Sequence, residues 1–174
     1  SKCLLGSVKA RRLNENYCML EPRIQEFQGV LLCGINVPME LRSFNPERAW
    51  GLLMPQLHKI STRLSSDLIS LRDFEGVPVF GPVANPSFTY WAAVEVAQEN
   101  EHFGHLEVPQ GTYAVFAYKG LSTDHSIWRY IYGTWIPNSP YTLDNRPHFE
   151  RLGAHYKNND PSSEEELWIP IARK

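Results

Sequence analysis

Glu150 and Glu95 are the two side chains of this sequence whose neighbours suit chemistry. In the run His148-Phe149-Glu150-Arg151-Leu152, strand alternation puts Glu150 on one face with His148 and Leu152, and turns Phe149 and Arg151 the other way. In the run from Tyr90 to Ala97, Glu95 shares a face with Trp91 and Ala93, an unusually apolar setting for a carboxylate. A carboxylate surrounded by apolar groups titrates high, which suits it to holding a cation or to general acid–base work. If the two acids meet across one cleft, their repulsion separates their pKa values. One can then deprotonate a water that attacks an activated carbon while the other serves as the acid. The structural alternatives are a solvated Glu150 paired with Arg151 or Arg146, and a Glu95 at a strand end that opens to solvent.

Aromatic side chains supply the rest of a binding site. Five Trp and eight Tyr are many for 174 residues. Rings stack on the faces of a flat ligand, and they attract a cationic one through their quadrupoles. Trp50, Tyr90, Trp91, Tyr113, Trp128 and Trp168 are the candidate lining, although the helical spacing of Trp128 and Trp135 favours a place in the core. Other chemistries find no pattern. His102, His105, His125, His148 and His155 have no metal-ligand spacing. The acidic stretches Asn158 to Asp160 and Glu164 to Glu166 lack a calcium-loop pattern and read as a solvated connector. Ser65 and Ser66 have no elbow glycines, and no glycine-rich phosphate loop follows a strand. The expectation is a site with no metal and no cofactor.

Elements able to position these residues alternate along the chain. Residues 1–22, polar and basic from Val8 to Tyr17, read as an extension. Ile24 to Pro38 reads as a strand in which Gly29 and Gly34 allow bends or close backbone approach. Asn45-Pro46-Glu47 opens a helix carrying Trp50, Leu53, Leu57 and Ile60 at helical spacing, split by Pro55. Ser61 to Ser70 reads as a short helix or a loop, and Val77 to Val83 as a proline-broken edge strand. Tyr90 to Ala97 and His105 to Val108 follow as strands. Thr112 to Lys119 then makes a strand between Gly111 and Gly120. A helix capped at Ser122 carries Ile127, Trp128, Ile131, Tyr132 and Trp135 as a heavy apolar face, and Pro137 to Pro147 is a rigid loop. Phe149 to His155 and Leu167 to Ala172 close the chain as strands. The predicted fold is α+β: two similar halves, about 23–108 and 109–174, with two main helices grouped on one side of a largely antiparallel sheet.

Composition narrows the function classes. The formal net charge is -2, and the densest basic patch is only Lys9, Arg11 and Arg12, so direct nucleic-acid binding is not expected. Cys3, Cys18 and Cys33 are odd in number and contain no CxxC pair, which fits reduced thiols in the cytoplasm. No apolar run reaches membrane-spanning length, so no membrane partner is expected.

Several segments together resemble the GyrI-like family, the effector-binding domains of bacterial transcription regulators. Val108-Pro109-Gln110-Gly111-Thr112-Tyr113-Ala114-Val115-Phe116 resembles that family's entry into its second repeat, with Lys119-Gly120 following. Tyr130-Ile131-Tyr132-Gly133-Thr134-Trp135-Ile136-Pro137-Asn138-Ser139 resembles its helix and stop. His148-Phe149-Glu150 resembles its Phe-Glu segment, and Ile169-Pro170-Ile171 its last strand. The resemblance implies a SOUL-like fold of duplicated βαβββ-like halves with a central ligand cleft that takes amphipathic, aromatic or cationic small molecules, with Glu150 inside it. It also implies a stand-alone sensor or sequestering protein, with no DNA-binding module attached. Two alternatives follow from the same family: a hydrolase of reactive cyclopropane-containing genotoxins that uses Glu150 and Glu95, and a gyrase-modulating interaction module, for which the Glu164 to Glu166 cluster offers an acidic patch. Leu152 stands where the family often has Tyr, and Tyr156 is the residue placed to compensate.

Overall fold

The computed structural model describes residues 20–174. The extension read for residues 1–22 therefore lies almost wholly outside the described residues, as do Cys3 and Cys18. Nine strands form a continuous antiparallel sheet: β1 (Arg23–Phe27), β2 (Val30–Glu40), β3 (Leu68–Phe74), β4 (Ser87–Val96), β5 (Gly104–Val108), β6 (Gly111–Lys119), β7 (Tyr141–Leu143), β8 (His148–Leu152) and β9 (Glu164–Arg173). Their order is β1-β6-β9-β8-β3-β4-β2-β5, with the short β7 paired to β9. At the two edges of the sheet, β1 adds to β6 and β5 adds to β2. The halves meet where β3 pairs with β8, and Ser70 faces Glu150 at the middle of that ladder. This is the predicted α+β antiparallel architecture.

Alternation along the strands builds two layers. One face carries Leu32, Ile69, Leu71, Trp91, Ala93, Tyr113, Val115, Phe149 and Trp168 into a closed inner core. The opposite face is divided between two clusters. Cys33, Val37, Tyr90, Ala92 and Val94 pack beneath the helix of the first half, and Ala114, Phe116, Leu167, Ile169 and Ile171 beneath that of the second. The sheet curls until its two ends touch. At Gly29 (φ +84°) a Cβ would stand 3.0 Å from the Val108 carbonyl, so the β1–β2 turn lies against the β5–β6 turn. At Gly34 a Cβ would run into the backbone of Ala92 and Ala93, which fixes how closely β2 crosses β4. Pro38 is tolerated inside β2 because β5 stops pairing at Gly34, leaving one neighbour beyond that point.

The helices are short. α1 (Glu47–Leu53) begins after Pro46, buries Ala49 and Leu53, and passes at Pro55 into a 3-10 turn (Met54–Lys59). α2 (Ser126–Tyr130) runs through a π turn (Ile131–Trp135) into α3 (Ile136–Asn138). Pro137 has no N–H for the carbonyl of Gly133, which accounts for the widened turn. Several expectations are corrected. Leu68 starts a strand where a helix or loop is read from the sequence, and residues 77–83 form turns and bends with no strand. The second helix starts at Ser126, where Asp124 accepts hydrogen bonds from the Ser126 backbone and hydroxyl, four residues past the predicted cap. The proline-rich segment contains α3 and β7. Among the described residues, no helix is long and apolar enough to cross a membrane.

Candidate functional site

The middle of the sheet carries polar groups where its neighbours carry hydrocarbon. On the helix-bearing face, Arg72 of β3 donates from Nη1 to Oε1 of Glu150 on β8 at 3.0 Å, and each side chain is only 11% exposed. The Arg72 guanidinium lies 4.6 Å from the ring centre of Phe44 and 5.0 Å from that of Trp128. Phe44 comes from the approach to α1, and Trp128 from α2, so each half supplies one ring to the same cation. Cation–π attraction to two rings and a bond to a carboxylate together offset the desolvation of this guanidinium.

Two hydrogen-bonded pairs flank the ion pair. The Tyr90 hydroxyl sits 2.7 Å from Ser70 Oγ and accepts a 2.8 Å bond from Trp50 Nε1. Burial pushes the Tyr90 phenol well above its ordinary range, so it stays protonated. In the other pair, the Tyr132 hydroxyl is 2.7 Å from His148 Nδ1. Burial first, then the charges of Arg72 and Arg146, lower the His148 pKa to about 3, so its ring is neutral. Glu165 moves the opposite way. Burial and the nearby charge of Glu150 push it up to about 8, against the pull of Arg72. Arg72 Nε, His148 Nε2 and Glu165 Oε2 are buried with no hydrogen-bond partner among the described residues. Among the described residues Arg63 Nε and Arg146 Nη1 are also unpartnered, but the three atoms near this ion pair are the ones that a ligand or solvent at the adjoining surface could satisfy.

Beside this cluster the surface opens into a cleft of about 670 Å³. Phe44, Phe74, Phe80, Trp128 and Tyr132 line it, with Arg72 also in the wall. Phe80 stacks on Tyr132 at 4.0 Å, and Trp128 lies parallel to Tyr132 at 6.0 Å. Such a hollow is of the size that encloses drug-sized ligands, and its rings are arranged to lie against a flat one.

The candidate residues separate by face. Glu150 belongs to the cluster, and Tyr90 and Trp50 lie under the same face, joined by their hydrogen bond, though neither is in the cleft wall. Tyr156 is half-buried near Glu165 and Glu150; burial raises its pKa, and the charges of both acids add to the rise. Glu95 is a correction. Its row is that of Ala93 and Arg151, on the inner face, and it pairs with Arg151. The sheet stands between Glu95 and Glu150, so they share no cleft. Trp91, Tyr113 and Trp168 are likewise inner-core rings, with Trp168 stacked on Phe149 and the Tyr113 hydroxyl bonded to the Pro147 carbonyl. Of the acidic stretches, Asn158 to Asp160 lie in a connecting turn as read, with Asn158 and Asn159 exposed, but Glu164 to Glu166 do not. The latter open β9, where Glu165 is buried and Glu164 and Glu166 pair with Lys119 and Arg23.

The residues missed from sequence are Arg72, Ser70, Phe44, Phe80, Tyr132 and Glu165. Arg72 did leave a signal, as a cation inside the otherwise apolar run Leu68-Ile69-Ser70-Leu71-Arg72. Tyr132 left one too, since with Trp128 it forms a second i, i+4 stripe beside the core stripe of Ile127 and Ile131.

Comparisons with known proteins agree with this architecture. The protein SAV2435, solved bound to tetraphenylphosphonium, superposes with a TM-score of 0.64 at 17% identity over 87% of this chain and 94% of its own. The C-terminal domain of EcmrR gives 0.62 at 12% identity over 90% and 99%. An integron cassette protein of Vibrio cholerae gives 0.59 at 14% identity over 87% and 96%. No curated protein matches the chain. The sequence model of the integron-associated effector binding proteins, Cass2, matches residues 64–171, more than half of the chain and every strand from β3 to β9. The chain is therefore a member of the Cass2 family of integron-associated effector binding proteins.

Proposed function

We propose that this protein captures an amphipathic aromatic small molecule in the cleft bounded by the segment before α1, residues 80–82 and α2, acting in the cytoplasm as a sensor or sequestering protein. The supporting observation is the 670 Å³ hollow in which Phe44, Phe80, Trp128 and Tyr132 surround a buried ion pair. Rings provide apolar area with few rotors to freeze, and the unmet polar atoms beneath them provide orientation. The tetraphenylphosphonium held by SAV2435, an ion covered in phenyl rings, is a ligand of this general kind. Hydrolysis through Glu95 and Glu150 is the weaker reading, because those acids lie on opposite faces of the sheet.

N-phenyl-1-naphthylamine, whose fluorescence rises in apolar surroundings, tests the reading. The expected result is saturable binding at one site, weakened at least tenfold by Trp128→Ala and by Phe44→Ala, with both variants folded by circular dichroism. Binding that is absent, or indifferent to both substitutions, contradicts it.

A further inference from the structure

The charge of the cleft points to one class of ligand. The place that a bound cation would take, between two aromatic rings and against a buried carboxylate, is filled by the chain's own Arg72. Around it the wall carries two more guanidinium groups, Arg42 and Arg129, and the imidazole of His125. Among the described residues no carboxylate lines it. Arg42 donates from Nη2 to the Pro82 carbonyl at 3.1 Å, which holds its head at the rim with other N–H groups to spare. Neither Arg42 nor Arg129 has an ion-pair partner among the described residues, and both are exposed. Glu150, the acid nearest the cleft floor, is already committed to Arg72.

We propose that the cleft selects aromatic anions, compounds with two or more rings and a carboxylate, sulfonate or similar group, over cations of the same shape. The inference rests on the reading of the cleft as the ligand site and adds the sign of the ligand's charge. The rings of such a compound lie among Phe44, Phe80, Trp128 and Tyr132, and its anionic group meets Arg42 and Arg129 at the rim. Guanidinium groups bond carboxylates and sulfonates through paired N–H donors, and these charge-assisted bonds are stronger than neutral ones. A cation there meets two unpaired guanidinium groups and gains no free carboxylate.

Tetraphenylborate and tetraphenylphosphonium share shape and differ in the sign of their charge, so calorimetric titration of each tests the Coulombic part of the selection. The sulfonate of N-phenyl-1-naphthylamine, 1-anilinonaphthalene-8-sulfonate, tests the guanidinium hydrogen bonds and is expected to bind at least tenfold more tightly than its neutral parent. The wild type is expected to bind the borate at least tenfold more tightly than the phosphonium. The double variant R42Q/R129Q, altered only at exposed side chains, is expected to cut that ratio at least fivefold. Raising the salt concentration is expected to weaken the borate and spare the phosphonium, because screening acts on the attraction to the exposed arginines. Equal affinities, tighter phosphonium binding, or a ratio unchanged in R42Q/R129Q overturn the proposal. The neutral N-phenyl-1-naphthylamine separates the two levels. If it binds and the borate shows no preference, only the charge selection fails; if none of the four binds, the cleft reading fails with it.

Discussion

Replacing Arg72 with Met keeps most of the side chain's volume and removes the charge that Glu150 was folded against. The pair is 3.0 Å apart with both side chains 11% exposed, so solvent screening discounts little of the effect. Breaking a buried pair from one side costs about 3–5 kcal/mol, mostly the penalty of a carboxylate left without its partner. Loss of the contacts to Phe44 and Trp128 adds on the order of 1 kcal/mol. Together these make about 4–6 kcal/mol, and at about 2–4 °C per kcal/mol for a chain of this size R72M should melt roughly 8–24 °C below the wild type. The double variant R72M/E150M removes both charges and should regain most of that loss, since an apolar pair of similar volume is often as stable as the ions it replaces. Urea unfolding of the wild type, both single variants and the double variant completes the cycle. A coupling energy below about 1 kcal/mol would refute the claim that the pair is buried and mutually dependent.

Three further outcomes follow from the same packing. Glu165 keeps its proton in the native state up to about pH 8, while its ordinary value is 4.5, so the native state binds the extra proton and stability is lost as pH rises between those values. Glu165→Gln should therefore gain on the wild type steadily from pH 5 to pH 8 in urea midpoints, by at most roughly 1.4 kcal/mol per pH unit; a constant difference contradicts the burial of this acid. Tyr132→Phe removes the partner of His148 Nδ1 and should cost about 1–3 kcal/mol by chemical denaturation, against near zero if that bond is not formed. Gly34→Ala drives a methyl group into the backbone of β4 and should cost about 3 kcal/mol, whereas an unchanged melting temperature would mean the strands cross less closely than described.

Elements whose apolar residues fall on one period were legible in the sequence. β4 and β6 showed their faces by alternation, and α1 announced itself through Asn45-Pro46-Glu47 and its break at Pro55. β3 hid because both of its faces are buried and one carries Ser70 and Arg72, so no amphipathic pattern survives. Glu150 was found through the resemblance of the His148-Phe149-Glu150 segment, but its partner stands 78 residues away and becomes a neighbour only when β3 pairs with β8. Glu95 misled because its apolar row is truly buried, yet on the face that Arg151 neutralises. The strand period gives the face of each side chain correctly. It does not say which face of a finished sheet is left open.

The most direct test is a crystal structure of the protein grown with N-phenyl-1-naphthylamine. The account predicts the naphthalene ring system lying between Phe44, Phe80, Trp128 and Tyr132, above the Arg72–Glu150 pair, with the inner core unchanged. A probe lodged elsewhere, for instance in the 420 Å³ hollow beside Arg151 and Glu166, or none held at the helix-bearing face, would contradict it.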